Sequence, residues 1–220
     1  MSEHNLRNKV AIVTGASKGL GKAIAIALGS AGASIALVSR DSERLKSVME
    51  ELNNAGGNAR VFIADVSGEK QVRQLERDVL AAFHAVHILV NNAGMNLRKD
   101  LVDFTLEEWR TVLDTNLTSV FLMCRSIVPH IKGRGYGRII NLCSIMGHVS
   151  IAGRAAYSAS KSALLGLTRA LALELAAKSI YNEQHQSWSF RHRDEYQLDS
   201  ECRIEPAIHF QNSAWTLGAG

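Results

Sequence analysis

The sequence predicts a single α/β domain in which a doubly wound parallel sheet is covered by helices on both faces. Short, almost continuously apolar runs alternate with longer amphipathic stretches as far as Lys178. Strands that are buried on both faces need apolar side chains throughout, and these runs have them. A glycine-rich segment, TGASKGLG, stands between the first apolar run and the first amphipathic stretch. In open α/β sheets, ligands bind at such strand-to-helix turns.

Five of the apolar runs are predicted as strands: KVAIV (Lys9 to Val13), SIALV (Ser34 to Val38), ARVFIADV (ending at Asp65), HILVNNAG and GRIINLCS. The spacing of apolar residues between and after them predicts five helices, over Leu20 to Ala31, Ser42 to Ala55, Glu69 to Phe83, Leu106 to Ile131 and Ala155 to Lys178. Two glycines, Gly56 and Gly57, follow the second helix and are typical of a helix stop.

Composition and charge exclude several other classes of protein. Of the 220 residues, 46% are hydrophobic and 21% charged, as in ordinary globular domains. The net charge of +4 comes from scattered basic residues, so we expect no nucleic-acid or membrane partner. No apolar stretch resembles a signal peptide or a bilayer span. Because Cys124, Cys143 and Cys202 lack metal-ligand and disulfide spacing, we expect no metal and a cytoplasmic or other soluble reducing compartment.

The glycine-rich turn is the first candidate binding site. Glycines allow a sharp turn and a close backbone approach to a pyrophosphate, and the start of the following helix offers free N–H groups. A purely structural turn would have the same composition, but the strand–turn–helix context favours dinucleotide binding. The candidate residues in the turn are Gly15, Ser17, Lys18, Gly19, Leu20 and Gly21.

The end of the second strand favours NADP(H) over NAD(H). A carboxylate at Ser39 would accept hydrogen bonds from the adenosine ribose, but none is present there. Arg40 can instead pair with a 2′-phosphate, and Lys18 adds a second positive charge. Arg40 could also be a solvated surface charge that Asp41 and Glu43 neutralise.

Four polar residues are candidates for the reaction itself. Tyr157 and Lys161 lie four apart on a predicted helix and share one face, where an ammonium would stabilise a phenolate and make the tyrosine a general acid and base. Ser144 follows the fifth strand, where its hydroxyl could polarise a carbonyl. Asn116 lies inside a helix, a mildly unfavourable place for Asn. Taken singly, these residues could also be a surface Tyr–Lys pair, a helix-capping Ser and a tolerated Asn.

Taken together, the motifs resemble those of the short-chain dehydrogenases/reductases, a family with the Rossmann fold. The resemblance rests on TGASKGLG, Asp65, NNAG (Asn91 to Gly94), Asn116, Ser144 and Tyr157-x-x-x-Lys161, in this order and spacing. It covers about Lys9 to Lys178.

The resemblance assigns a role to each matching residue. It implies that Tyr157 donates or accepts the proton, and that Lys161 assists it and also holds the nicotinamide ribose. It implies that Ser144 steadies the carbonyl oxygen and that Asn116 supports a water relay. Cofactor contacts would come from Asp65 and Val66 at the adenine and from Asn91, Ala93 and Gly94 near the fourth strand. Tyr157 and Lys161 would also contact the cofactor.

The resemblance leaves the substrate open. The sequence of the motifs as a whole is similar to that of 3-oxoacyl-carrier-protein reductases. The segments NNAGMNLRKDLVDFTLEEW and SIMGHVSIAGRAAYSASK are closer to gluconate and other sugar-acid or polyol dehydrogenases. Either way we expect an oxidoreductase that interconverts a small-molecule carbonyl and a secondary alcohol. The family further implies a homo-dimer or tetramer.

The remaining residues, 179–220, form an atypical tail that we expect to be poorly ordered. It shows neither a strand nor a helix period, so we expect the C-terminal strands of the sheet to be missing or disordered. Read in a shifted frame, Glu183 to Trp188 can spell NNISPG, which resembles the family's loop over the nicotinamide. We therefore hypothesise a one-base frame change just after Lys178. The alternative function is a catalytically impaired member that binds dinucleotide or a partner subunit without turnover.

Overall fold

Six parallel strands form one central sheet in the order β3-β2-β1-β4-β5-β6. This is a computed structural model, which describes residues 6–176 and 180–187, the last six of these as backbone only. The strands are β1 (Val10–Thr14), β2 (Ser34–Ser39), β3 (Asn58–Ile63), β4 (Ile88–Asn91), β5 (Gly137–Ser144) and β6 (Ile180–Ser187). All the pairings are parallel, which confirms the predicted fold class.

Helices cover both faces of the sheet. They are α1 (Gly19–Ser30), α2 (Ser42–Asn54), α3 (Glu69–Phe83), α4 (Leu106–Leu113), α5 (Ser119–Ile131) and α6 (Ala155–Ala176). One core cluster joins the sheet to α3, α5 and α6 through side chains such as Val79, Met123 and Leu164. The other joins the opposite face to α1 and α2, through Ala25 and Leu45. Among the described residues, no helix combines the length and apolarity needed to cross a membrane.

The predicted long helix over Leu106 to Ile131 is divided into two α-helices. A single π-helical turn, Asp114–Thr118, lies between α4 and α5 and contains Asn116. The prediction of one regular helix was therefore wrong at this turn. Wider turns of this kind are common at functional sites, because they release backbone groups and re-aim a side chain. Here the re-aimed side chain is Asn116, which is bonded outside its own helix.

Strand β6 corrects the expectation that no strand follows Lys178. Its eight residues pair in parallel with the whole of β5, from Gly137 opposite Ile180 to Ser144 opposite Ser187. Backbone hydrogen bonds make this pairing, so a polar sequence without alternation can still form it. Ile180 is buried, and the half-exposed ring of Tyr181 lies under the Arg138 guanidinium, 4.3 Å from its centre. The rest of the atypical tail, and the side chains of the hypothesised NNISPG segment, lie outside the described residues.

The carboxyl ends of the strands meet along one edge of the sheet. The strand order reverses between β1 and β4, so the connections after these two strands leave toward opposite faces. A crevice opens where the connections diverge, and open α/β sheets bind their ligands there. Thr14 and Asn91 end the two strands that flank this point.

The opposite end of the sheet contains a pH-sensitive contact at His87. Its Nδ1 accepts a hydrogen bond from the Val10 backbone N–H at 3.1 Å, which requires an unprotonated Nδ1. Burial, followed by the charges of Lys9 and Arg134, lowers the pKa of His87. The folded state therefore binds this proton less well than the unfolded chain does. The stability from this contact is complete above the unfolded pKa of about 6.5 and is lost as the pH falls through the lower folded value.

We expect acidification to destabilise the wild type more than a His87→Asn variant, whose amide oxygen can accept the same bond without titrating. The extra loss between pH 7.5 and pH 5 should be about 1 kcal/mol, the usual contribution of one hydrogen bond. For a domain of this size that corresponds to about 2–4 °C in Tm, measurable by circular dichroism. His84→Asn is the matched control, because His84 is exposed and its φ of 61° suits Asn. Equal acid sensitivity of the wild type and His87→Asn would contradict this account.

Candidate active site

The glycine-rich turn between β1 and α1 contains two positions, Gly15 and Gly21, where a Cβ would clash with neighbouring atoms. Gly15 and Gly19 have φ values of 64° and 56°, in the left-handed region that favours glycine. A Cβ on Gly21 would lie 2.3 Å from the Gly15 carbonyl oxygen. Lys18, at the N-cap of α1, makes no side-chain capping bond. The first N–H groups of the helix therefore keep their capacity to bind an anion.

Two residues that the sequence did not single out hold this turn in place. The buried Thr14 hydroxyl accepts hydrogen bonds from the backbone N–H groups of Asn92 and Ala93, each at 3.0 Å. The Asn92 side chain donates to the carbonyl of Thr14 at 2.9 Å and to that of Gly15 at 3.2 Å. These bonds connect the end of β1 to the end of β4. Their position in the sequence could have indicated this role, because Thr14 is the polar residue that ends one apolar strand and Asn92 directly follows another.

A cleft of about 570 Å³ opens at this edge of the sheet. It brings together ten of the predicted cofactor-binding residues: Gly15, Ser17, Lys18, Leu20, Gly21, Arg40, Asp65, Val66, Ala93 and Gly94. Gly19, Tyr157 and Lys161 are not among its lining residues. Additional lining comes from Asn92, Met95 and Thr115, and from Arg44, a cation that the sequence did not single out.

Asn91, which the resemblance assigns to the cofactor, is not among the residues that line the cleft. It is 4% exposed, and its side chain donates to the Asn141 side-chain oxygen at 2.9 Å. Asn91 and Asn141 lie opposite each other in the β4–β5 pairing. Alternate residues of a strand point to opposite faces, so Asn91 connects two strands inside the core. Its neighbour Asn92, one residue beyond the strand, is the one that reaches the cleft.

Arg40 projects from the end of β2 with 77% of its side chain exposed. Its guanidinium lies 3.4 Å from an Asp65 carboxylate oxygen, a long exposed pair of the kind that contributes little energy. The two acidic neighbours that could have neutralised Arg40 have other partners. Asp41 caps α2 and pairs with Arg44, while Glu43 pairs with Lys46.

The Asp65 carboxylate is held mainly by the turn that follows it. It accepts hydrogen bonds from the Ser67 hydroxyl at 2.6 Å and the Ser67 backbone N–H at 3.0 Å. The Ser67 hydroxyl is the largest of the causes that lower the pKa of Asp65, and the nearby Arg40 adds to the effect. Asp65 is therefore an anchored carboxylate on the wall of the cleft.

Tyr157 and Lys161 lie one turn apart on α6, as predicted from their spacing. The Lys161 ammonium is 5.8 Å from the centre of the Tyr157 ring. Lys161 is only 6% exposed, and its ammonium donates to the Leu142 carbonyl at 2.5 Å. Burial lowers the pKa of Lys161 to about 8, an effect that the nearby Cys143 opposes. The amine lies beside the half-buried tyrosine ring.

Ser144 ends β5 and caps the short 3-10 helix Ile145–Gly147 that follows. Its oxygen accepts a hydrogen bond from the Met146 N–H at 3.2 Å. The capping role and the proposed carbonyl contact are compatible, since a hydroxyl that accepts one bond can still donate its proton. The 3-10 helix is attached to α6, because the Ser162 hydroxyl donates to the Gly147 carbonyl at 2.8 Å.

Asn116 joins the segment after β4 to the helix of Tyr157. The buried amide accepts from the Met95 N–H at 2.7 Å and donates to the Met95 carbonyl at 2.9 Å. It also donates to the Ser160 hydroxyl at 3.0 Å, and Ser160 donates to the Tyr157 carbonyl at 2.7 Å. One interpretation of the sequence was that Asn116 is merely tolerated within a helix. The structure gives this side chain three hydrogen bonds that connect three separate segments.

Comparisons with known proteins show to which family the chain belongs. Residues 9–183 match the family model described as short chain dehydrogenase. A 3-oxoacyl-[acyl-carrier-protein] reductase from Synechocystis sp. is 38% identical over 176 residues, which cover 80% of this chain and 71% of that protein. A homologous reductase from Aquifex aeolicus is 34% identical over 179 residues, covering 81% of this chain and 72% of that protein.

Solved structures give the same result. The crystal structure of a metagenomic short-chain oxidoreductase in complex with NADP superposes with a TM-score of 0.81 at 37% identity, covering 84% of each chain. A short-chain alcohol dehydrogenase structure from Sinorhizobium meliloti 1021 has a TM-score of 0.80 at 35% identity, covering 83% of this chain and 72% of that one.

Proposed function

We propose a cofactor preference and a catalytic residue for this chain, which belongs to the short-chain dehydrogenase family and is an NAD(P)-dependent oxidoreductase acting on carbonyl or alcohol groups. The preferred cofactor is NADP(H), and Tyr157 is the general acid and base. The observation that carries the proposal is the position of the Tyr157–Lys161 pair. The pair lies on the helix that Asn116 connects to Met95, a residue on the wall of the cleft.

The cleft fits a dinucleotide. A Cβ would fill the space at Gly21, so the turn leaves room for a close backbone approach. The N–H groups at the start of α1 would hold the pyrophosphate, and Asp65 and Val66 would contact the adenine. Ala93 and Gly94 would line the cofactor beyond the switch point. When bound, the nicotinamide supplies or accepts the hydride.

Two cations favour the phosphorylated form of the cofactor. Arg40 exchanges a weak exposed pair with Asp65 for a 2′-phosphate at little cost. Lys18 takes part in no ion pair among the described residues. The relative solved with NADP bound supports the same preference.

The protein's own groups would handle the proton. The Tyr157 hydroxyl gives its proton to the substrate oxygen during reduction and takes it back during oxidation. The buried Lys161 ammonium stabilises the phenolate and would hold the nicotinamide ribose. Ser144 would donate a hydrogen bond to the same substrate oxygen without giving up its proton, and Asn116 would support the water relay that resupplies the proton to Tyr157.

Substrate class and assembly follow from the relatives and from exposed surface. The relatives are named as 3-oxoacyl-[acyl-carrier-protein] reductases, so a 3-oxoacyl group is one candidate substrate and a sugar acid or polyol is the other. We propose that copies of the chain pair as a homo-dimer or tetramer through the helices between β4 and β6. Apolar side chains on these helices are exposed in the single chain: Leu106, Phe121 and Leu173. A cytoplasmic or other reducing compartment remains the proposed location.

The cofactor preference predicts a selective effect of Arg40→Ala. The variant should bind NADPH about 10- to 100-fold more weakly, the usual value of a charge-assisted hydrogen bond, while its affinity for NADH changes less than threefold. Fluorescence titration gives both dissociation constants. Arg77→Ala is the control, because Arg77 is an exposed arginine on α3 outside the cleft. A wild type that binds NADH as tightly as NADPH would refute the preference.

A further inference from the structure

Two arginines outside the cofactor cleft, Arg98 and Arg154, lie on segments that are bonded to each other at the start of the helix of Tyr157. Arg98 belongs to the segment that follows β4, and Arg154 directly precedes α6. The backbone N–H of Lys99 donates to the Gly153 carbonyl at 3.1 Å, so the residues flanking this bond, Arg98 and Arg154, are brought side by side. The Arg154 carbonyl accepts the first hydrogen bond of α6, from the Ser158 N–H at 2.8 Å. Tyr157 is three residues along that helix, on the same side as Arg154.

The segment that carries Arg98 is held at both ends. Met95, at its start, is bonded to Asn116. Lys99 pairs with both carboxylate oxygens of Glu108, at 3.0 and 2.9 Å. Glu108 is itself fixed by the capping box that begins α4. Arg98 is therefore presented from an anchored backbone.

Within the part of the chain that the structure describes, no ion pair neutralises either guanidinium group, although Lys99 has a partner. The sequence from Asn91 to Lys99 contains no acidic residue, and neither does the sequence from Asn141 to Leu173. These are the two segments that flank Tyr157. Asp100 directly follows the first of these segments, but no carboxylate of the described residues forms an ion pair with Arg98 or Arg154.

The electrostatics of Arg154 agree with this geometry. Burial is the largest cause that lowers the pKa of Arg154, the charge of Arg98 lowers it further, and Tyr157 raises it. Both residues thus lie within electrostatic range of Arg154. Placing two like charges close together is unfavourable unless an anion neutralises them, and paired arginines are the usual ligands of carboxylates and phosphates.

We propose that Arg98 and Arg154 together bind an anionic group, a carboxylate or a phosphate, on the substrate whose carbonyl or alcohol reacts at Tyr157. The inference rests on the proposed function, because it takes Tyr157 as the reacting end of the site. It favours a sugar acid or a sugar phosphate over a neutral polyol or a neutral thioester.

The test is a panel of four substrates assayed with the full chain and NADP(H). The panel contains a six-carbon aldonic acid, the six-carbon alditol, the alditol phosphate, and a short 3-oxoacyl thioester of N-acetylcysteamine. We expect kcat/KM to be at least about tenfold higher for an anionic member than for the neutral alditol. Arg98→Ala and Arg154→Ala should each lower that value about 10- to 100-fold and leave turnover of the alditol within twofold. Comparing the aldonic acid with the alditol phosphate shows whether the site binds a carboxylate or a phosphate.

Further variants and a binding measurement separate the possible results. Arg98→Lys should restore part of the loss, and replacing the exposed Arg77 of α3 with Ala should change nothing. Calorimetric titration of the NADP-saturated protein with the aldonic acid and the alditol phosphate measures anion binding without turnover. Failure of both anions to bind, or binding that both alanine variants retain, overturns the anion site. The proposed function is then judged separately, by turnover of the neutral substrates and its dependence on Tyr157.

Discussion

Replacing Tyr157 with Phe should abolish most of the reductase activity while leaving the cofactor site intact. The substitution removes only the hydroxyl, and general acid–base catalysis typically contributes a hundredfold to ten-thousandfold, so kcat should fall by about that factor. Tyr157 is not among the residues that line the cofactor cleft, so the dissociation constant for NADPH should change less than threefold. Steady-state NADPH oxidation and fluorescence titration measure the two quantities.

Tyr136→Phe is the matched control for this experiment. Tyr136 lies outside the site, between the cations of Lys9 and Arg138 at 4.7 Å each, so its hydroxyl should be dispensable. If Tyr157→Phe kept more than a tenth of the wild-type kcat, the assignment of the proton to Tyr157 would be wrong. A wild type that binds NADPH but reduces no carbonyl would favour the other reading of the sequence, a member that binds dinucleotide without turnover.

The second large effect is expected at Gly21, where alanine should damage both stability and cofactor binding. The added Cβ would lie 2.3 Å from the Gly15 carbonyl oxygen and 2.3 Å from the Asn92 amide nitrogen. Neither neighbour can move freely, because Thr14 and Asn92 bond the turn to β4. Overpacking of this kind costs about 2–3 kcal/mol. We expect Tm to fall by about 5–10 °C and the affinity for NADPH to fall at least about tenfold.

Replacing Gly166 with alanine should instead raise the stability of the protein. Gly166 lies in the middle of α6, and apart from its chain neighbours and the adjacent turns of helix backbone, no heavy atom of the described residues lies within 4 Å of the Cβ that alanine would add. Alanine is the better helix former, so Gly166→Ala should raise stability by up to about 1 kcal/mol. Thermal unfolding of both variants by calorimetry tests the pair. A Gly21→Ala protein as stable as Gly166→Ala would show that the turn can relax.

Local sequence pattern was enough to predict most of the architecture. Helix α3 and strand β5 have the bounds that the periodicity predicted, Glu69–Phe83 and Gly137–Ser144, because each spans a clean helical or apolar pattern between strong breakers. The glycine-rich turn and the four-residue spacing of Tyr157 and Lys161 are local features too. Their positions in the fold follow from the elements on which they lie.

Other features depended on which strands and segments pair, and local pattern contains no such information. The sequence alone could not tell which of two adjacent asparagines reaches the cleft, because the pairing of Asn91 with Asn141 decides it. Strand β6 is polar, and it forms through backbone bonds to β5 rather than through an apolar pattern.

The charged contacts of the site were likewise decided by the tertiary structure. Arg40 meets Asp65, 25 residues away in the chain, rather than its acidic neighbours. Arg98 and Arg154 come together only because the Lys99–Gly153 backbone bond joins two distant segments. The sequence thus determined which chemical groups the protein has and on which elements they lie. Long-range pairing decided which of those groups face each other, because contact between residues far apart in the chain is a property of the packed fold.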